Sequence, residues 1–287
     1  MVSLLRTYVP EIRAMLRLAL PLVLAELGWM AMGLVDTMFV GRIGAEAIGA
    51  VGLGAQVYYG VAIFAGSILL GLDTVVSQAH GAGDEARCRV WLVNGLWLAA
   101  LMTPLVMGTV WALEPVLGML GIDATVLVTT RPYLRALNWS TPALMAYFAM
   151  RRYVQSLGVV RPVMIILVTA NLVNLAGNWV LVLGHLGAPR MGAEGSGWAT
   201  CVSRVYMAAM LVMVVVAHTR GASKISWRPE FAKIGELLKL GVPAASQIGL
   251  EIAVFTTVTV LVARLNAVAL AANQIALNAV SLSLIHI

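Results

Sequence analysis

The chain has 287 residues, 61% of them hydrophobic and 11% charged, and a mean hydropathy of +0.91. Soluble domains carry about 25% charged and 45–50% apolar residues, so a soluble globular protein is excluded and a polytopic membrane protein is expected. The formal charge of +6 does not point to nucleic acid, because the basic residues fall in short loops between apolar runs, as membrane topology requires.

The N-terminal stretch MVSLLRTYVPEIRAMLRLAL is Arg-bearing and amphipathic, with no small-residue cleavage site. It is expected to be a cytoplasmic lead-in to the first span rather than a removable signal. Uncharged runs place the spans at about 16–40, 47–72, 90–113, 126–149, 162–184, 194–217 and 241–263, with an eighth starting near Val268; about 20 apolar residues are enough to cross a bilayer. The first span carries Glu26 and Asp36, the fourth Arg131 and Arg135, the sixth Arg204 and the seventh Glu251. Pro21, Pro142 and Pro243 interrupt backbone hydrogen bonding inside or at the start of spans. Cys88 and Cys201 belong to no CxxC or Cys/His pattern, so neither a disulfide nor a metal site is expected from them.

With the N-terminus inside, thirteen of the nineteen Lys and Arg residues fall on the inner side. That bias sets the orientation. The longest polar stretch, Arg220 to Lys239, has Phe231, Ile234, Leu237 and Leu238 at helical spacing and is expected to lie on the inner membrane surface as an amphipathic connector. It also separates two repeats. Leu16–Ala50 laid over Leu238–Ala272, at an offset of 222, matches at ten of thirty-five positions, where chance gives about three. The expected fold is all-α, a polytopic transmembrane helical bundle. It comprises a complete six-helix bundle over 1–219, a connector over 220–240, and over 241–287 the first two helices (the second partial) of a parallel repeat. A complete second bundle needs roughly 150 more residues, so the chain is expected to stop inside its eighth span and not to transport alone.

Several stretches carry a family resemblance. They are LxLPxxxxE followed by MGLVDTMFVGRIGAEAIGAVGLG, then GLDTVVSQAHGAGD, PYLRAL, NLVNLAGNWVLVLG, GAEGSGWAT and GVPAASQIGLEIAVF. In this combination and order the chain resembles bacterial members of the multidrug and toxic compound extrusion family, MATE, over its whole length. The resemblance implies two six-helix bundles around a central cavity, with alternating access coupling uptake of Na⁺ or H⁺ to export of small organic cations. It implies a bacterial inner-membrane protein, multi-pass, with a cytoplasmic N-terminus, monomeric at full length, with no cofactor beyond the coupling ion and no partners beyond substrate and membrane lipids. Asp36 matches the family's carboxylate in span one and Glu251 that in span seven. Some relatives carry Asp where this chain has Asn178, and Na⁺ and H⁺ both stay open.

The residues reach Asp36 independently. A carboxylate inside the hydrocarbon core costs at least about 2.5–3.5 kcal/mol on insertion scales and calls for a partner, a proton or water. Asp36, Asn174, Asn178 and Thr200 fall at similar depth in spans one, five and six, and Asn174 and Asn178 share a helix face at i, i+4. One carboxylate with amide and hydroxyl oxygens is a hard-oxygen set for Na⁺ (Asp36, Asn174, Asn178), or a pocket in which Asp36 holds a proton. Hydrogen bonding between helices is the alternative use of the same groups. Glu251, near the midplane, is expected to face the cavity and attract a cation. Glu26 is left open between a second ion site and a packing contact. Arg204 is expected in a buried ion pair, and Asp73 in a cap or loop salt bridge. Met30, Met32, Met38, Trp29, Tyr58 and Tyr59 form a soft wall or, taken singly, pack in the core or face lipid. No HExxH motif occurs and the four histidines are scattered, so an intramembrane enzyme is not expected. A structural membrane scaffold would not explain carboxylates inside spans; a further alternative is a flippase for lipid-linked precursors, which a cavity lined by several arginines would favour.

Overall fold

The computed structural model describes residues 2–219 and 226–284, with side chains from Ala19 to Thr219 and from Ser226 to Val280. All regular structure among these residues is helical. The helices are α1 (Val2–Gly41), α2 (Ala45–Ile68), α3 (Gly71–Gly81), α4 (Glu85–Met119), α5 (Ala124–Asn138), α6 (Thr141–Ser156), α7 (Arg161–Leu181), α8 (Ala193–Thr219), α9 (Phe231–Ala263) and α10 (Ala267–Leu284). Among the described residues, six segments are long and apolar enough to cross a membrane: Ala19–Gly41, Ala45–Gly81, Glu85–Met119, Arg161–Leu181, Ala193–Thr219 and Phe231–Ala263. The N-terminal lead-in continues without a break into the first span.

Two expected spans are each divided into two helices. At Leu69–Leu70 the ladder tightens to i→i−3 bonds, with Leu69 N donating to Gly66 O at 3.1 Å and Leu70 N to Ser67 O at 3.0 Å. This one-turn change of pitch separates α2 from α3. The fourth span breaks between Asn138 and Thr141, just ahead of Pro142, which enters α6 in its first turn. Proline has no N–H to continue the ladder, and side chains at the break bond to a neighbouring helix and to each other. Asn138 Nδ2 donates to Met107 O at 3.1 Å and Thr141 Oγ1 to Asn138 Oδ1 at 3.2 Å.

The connector departs from expectation. Residues 220–225 lie outside the described residues, and 231–240 form the first turns of α9, continuous with the seventh span. Ile234 and Leu237, two of the apolar positions expected on the membrane surface, are buried in the bundle. The approach is held by two side chains of α4. Glu230 N donates to Asn94 Oδ1 at 2.8 Å, and Trp97 Nε1 donates to Trp227 O at 2.9 Å. A Cβ on Gly241 would run into the Ile68 carbonyl, so this glycine is what lets α9 lie on the α2–α3 break.

Packing joins helices distant in sequence. α7 lies between α8 and α1, α2 contacts α5 and α9, α5 and α6 contact α8, and α10 lies on α2. The outer surface is apolar, with Leu105, Ile165, Leu172, Val205, Leu250 and Val254 among its exposed side chains. A water-soluble fold would not leave a face of this kind uncovered; against lipid tails it is matched.

Candidate functional site

Asp36 lies five residues before the end of α1 and is buried. Apart from Thr37, the residues around it from Gly28 to Gly41 are small or apolar, so its carboxylate is the charged feature of that stretch. On α7, Asn174 and Asn178 are one turn apart and both fully buried, facing α1. α8 brings in Thr200, and close approach depends on its GAEGSG entry. A Cβ on Gly195 would sit 2.6 Å from the Leu181 carbonyl, and one on Gly197 would sit 2.9 Å from the Tyr133 carbonyl. Larger residues there would hold α8 away from α7 and α5.

The four residues converge. Asn178 Nδ2 donates to Asp36 Oδ1 at 2.8 Å and Asn174 Nδ2 to the same oxygen at 3.0 Å, while Thr200 Oγ1 donates to Asp36 Oδ2 at 2.8 Å. Asn174 Nδ2 also reaches Thr200 Oγ1 at 3.3 Å. Both carboxylate oxygens therefore receive neutral donors, and among the described residues no Lys or Arg forms a salt bridge with Asp36. Buried charge without a salt-bridge partner is costly, and a proton or a small cation at the carboxylate would reduce that cost. The oxygen set is suited to Na⁺: Asp36 supplies a carboxylate, Thr200 a hydroxyl, and Asn178 Oδ1 is buried with no hydrogen-bond partner. Rotation of the two amides would bring their oxygens toward the same point.

Asp36 also lines a cavity of about 230 Å³. Trp29 and Met30 of α1, Gln56 and Tyr59 of α2, and Gln274 and Asn278 of α10 contribute to its wall. Gln56, Gln274 and Asn278 were not singled out from the sequence. Gln274 and Asn278 stand at the same i, i+4 spacing as the α7 asparagines, and that spacing is the signal that could have marked them. Gln274 fits because Gly52 has no side chain, since a Cβ there would come within 2.5 Å of its Oε1. Asn278 Nδ2 donates to Thr37 Oγ1 at 3.2 Å, tying α10 to α1 beside Asp36. Met32 and Tyr58 are core residues, and Met38 is 63% exposed.

The other expected residues lie elsewhere. Glu26 pairs with Arg151 of α6, and the two line a separate cavity of about 180 Å³ with Trp29, Phe148 and Arg152. Glu251 is exposed on α9 and makes no hydrogen bond or ion pair among the described residues; it does not reach the Asp36 cavity. Asp73 receives Arg152 Nη1 at 3.2 Å and Ser156 Oγ at 3.4 Å, joining α3 to α6. Arg204 corrects the sequence expectation. It is fully buried, but its partners are Ser140 Oγ at 2.5 Å and Tyr59 Oη at 2.7 Å, with no carboxylate in salt-bridge contact among the described residues. Serine and tyrosine oxygens accept from its Nη1 and Nη2, its Nε is buried without a hydrogen-bond partner among the described residues, and the Tyr58 and Tyr59 rings flank its charge.

Comparison with known proteins adds to this geometry. The MatE family model matches residues 21–180. The chain is 34% identical over 273 residues to the multidrug resistance protein PmpM of Pseudomonas aeruginosa, covering 93% of this chain and 57% of that protein. It is 34% identical over 284 residues to the multidrug resistance protein MdtK of Klebsiella pneumoniae subsp. pneumoniae, covering 97% of this chain and 62% of that one. The chain therefore spans 57% and 62% of the length of these two relatives. Among solved structures, the eukaryotic MATE transporter AtDTX14 superposes with a TM-score of 0.75 at 20% identity, covering 90% of this chain and 57% of that one. A MOP superfamily transporter from Pyrococcus furiosus superposes with a TM-score of 0.74 at 21% identity, covering 89% of this chain and 57% of that one. At these identities the likeness is one of fold.

Proposed function

The chain belongs to the MatE family of multidrug and toxic compound extrusion proteins, and on that premise we propose that it supplies the first bundle and the opening helices of the second in a cation-coupled antiporter. The exported compounds are small organic cations. The coupling ion is Na⁺ or H⁺, and the membrane is the bacterial inner membrane, with the N-terminus cytoplasmic. One observation carries the reading. A buried carboxylate, Asp36, is held by Asn174, Asn178 and Thr200 at the wall of a cavity that also holds aromatic and amide side chains.

Coupling follows from charge. When Asp36 is ionised, a cation in the cavity is stabilised by a nearby negative charge in a low-dielectric site. When Na⁺ or H⁺ occupies Asp36, that attraction is removed and the organic cation is released. Ion and substrate then compete for one charge, and alternating access of two bundles converts the competition into exchange. Glu251, on the exposed face of α9, is placed in this reading on the wall that the second bundle completes. The named multidrug resistance relatives support export of foreign compounds. The cavity wall carries Asp36 and, among the described residues, no arginine, which favours cations over the anionic cargo of a lipid-precursor flippase.

The test is ethidium efflux from vesicles containing the full-length protein, under separate Na⁺ and pH gradients. Asp36→Asn keeps the size of the side chain and removes its charge, and is expected to lower coupled efflux at least about tenfold, the effect of losing about 1.4 kcal/mol. Undiminished efflux under both gradients would remove the ion site from Asp36.

A further inference from the structure

Arg204 is the one fully buried guanidinium of α8, and the ion site does not use it as a ligand. Its side chain passes behind the cavity wall and donates to Tyr59 Oη at 2.7 Å and to Ser140 Oγ at 2.5 Å. The guanidinium carbon lies 5.0 Å from the Tyr58 ring centroid and 5.2 Å from that of Tyr59. Arginine is a donor only and stays protonated. In its bond to Arg204 the Tyr59 oxygen is therefore the acceptor, and the Tyr59 O–H proton is left to be donated elsewhere. Among the described residues it meets no acceptor, while Tyr59 lines the Asp36 cavity. The cavity thus holds a carboxylate and a hydroxyl donor whose oxygen is drawn on by a positive charge, which strengthens the donor.

We propose that Tyr59 is a specificity-determining residue of this cavity, donating to a hydrogen-bond acceptor on the bound organic cation, and that Arg204 is the positioning residue that sets the direction of that donation. The ligand class is an organic cation bearing an ester, carbonyl or ether oxygen, with the positive charge toward Asp36 and the oxygen toward Tyr59. This rests on the cavity being the organic-cation site of the reading above. A cation with no acceptor buries the Tyr59 donor unpaired, and discrimination arises from that loss. Tyr58 plays a different part. Its hydroxyl is 3.0 Å from Thr141 Oγ1 and fully buried, so it walls the guanidinium without reaching the ligand.

The experiment measures fluorescence binding of two cationic dyes to the full-length protein in detergent. Rhodamine 6G carries an ester carbonyl, whereas ethidium carries amines and no comparable acceptor. The readout is the ratio of the two dissociation constants. In Tyr59→Phe the preference for rhodamine 6G over ethidium is expected to fall roughly fivefold, the scale of one hydrogen bond. Arg204→Lys keeps the charge but loses the planar fork that holds Tyr59 and Ser140 together, so it is expected to move the ratio the same way. The double variant is expected to move it no further than Tyr59→Phe alone, because both act through one hydroxyl. A purely structural role would weaken both dyes equally, and an unchanged ratio in Tyr59→Phe overturns the proposal whether or not the Arg204 variant folds. If the unaltered protein binds neither dye, the organic-cation reading itself fails and takes this proposal with it. If both dyes bind and only the ratio stays fixed, the transport reading stands and the Tyr59 assignment falls.

Discussion

At the scale of single residues, four acidic side chains fall into two kinds of setting. Asp36 is surrounded by neutral donors, whereas Glu26, Asp73 and Glu114 each face an arginine. The first arrangement leaves the carboxylate without a salt-bridge partner among the described residues; the second pairs it within the protein. The Glu26–Arg151 pair is asymmetric, since the Glu26 side chain is 46% exposed and that of Arg151 only 6%. Removing Glu26 strands a buried guanidinium, while removing Arg151 leaves a carboxylate that water can reach. Glu26→Gln is therefore expected to destabilise by about 1–3 kcal/mol and Arg151→Met by less, as read by thermal unfolding of the two variants in the same detergent. The reverse order would show that the pair is not held as described. Outside the membrane, Asp123 caps α5 by accepting from Thr125 N at 2.9 Å and Thr125 Oγ1 at 2.6 Å. These bonds hold its carboxyl below the usual carboxylate range. A depressed folded value means that the cap is at full strength at neutral pH and is lost as pH falls through the carboxyl's lowered range, below about pH 4. Hydrogen-exchange protection factors in the first turn of α5, each corrected for the intrinsic rate at that pH, should fall over that interval in the unaltered protein, and Asp123→Asn should abolish the acid-dependent step.

At the scale of elements, the internal repeat has a geometric counterpart. Adding 222 to the end of α1 at Gly41 gives Ala263, the end of α9, and adding it to the start of α2 at Ala45 gives Ala267, the start of α10. The same offset that aligned the sequence aligns the helix boundaries. Asp36, however, falls opposite Val258 in this register, so the repeat preserves the scaffold and not the carboxylate. Helix contacts are set by glycines at a few crossings. Gly241→Ala would push α9 off the Ile68 carbonyl, and overpacking of this kind costs roughly 1–3 kcal/mol. Gly235, on the same helix, has open space around it, so Gly235→Ala is expected to be neutral or to stabilise by up to about 1 kcal/mol through helix propensity. Thermal unfolding of the two alanine variants separates the steric effect from the propensity effect, and equal shifts would refute the contact.

At the scale of the whole molecule, the cavity at Asp36 is closed partly by α10, which belongs to the second repeat. Gln274 and Asn278 join Trp29, Gln56 and Tyr59 around it, so helices from both ends of the chain share its wall. The orientation predicted from basic residues can be tested with the native cysteines left in place, since Cys88 and Cys201 are both buried. A cysteine replacing Ala188, in the segment between α7 and α8, is expected to react with a membrane-impermeant maleimide from outside intact cells. One replacing Ala82, between α3 and α4, is expected to react only after the membrane is opened. The opposite pattern would invert the topology.

Much of this architecture was legible in one dimension. Hydropathy is a local property, and runs of apolar residues marked the membrane class and the spans. The depth of Asp36, Asn174, Asn178 and Thr200 could be counted along each helix, and the structure does bring those four together. The repeat was visible because two stretches of chain carry the same pattern. Depth along a helix says nothing of rotation about it, and here the sequence was silent. It could not place Glu26 against Arg151, 125 positions away, or Arg204 against Tyr59, 145 positions away. Nor could it tell that Gln274 and Asn278 would turn toward Asp36, or that 231–240 would run straight into the seventh span. Composition and periodicity alone determined that the chain is a helical membrane bundle with an acid in its interior. Which groups meet that acid, and which charges are answered within the protein, only the packed structure decided, because those contacts depend on how helices distant in sequence are rotated against one another.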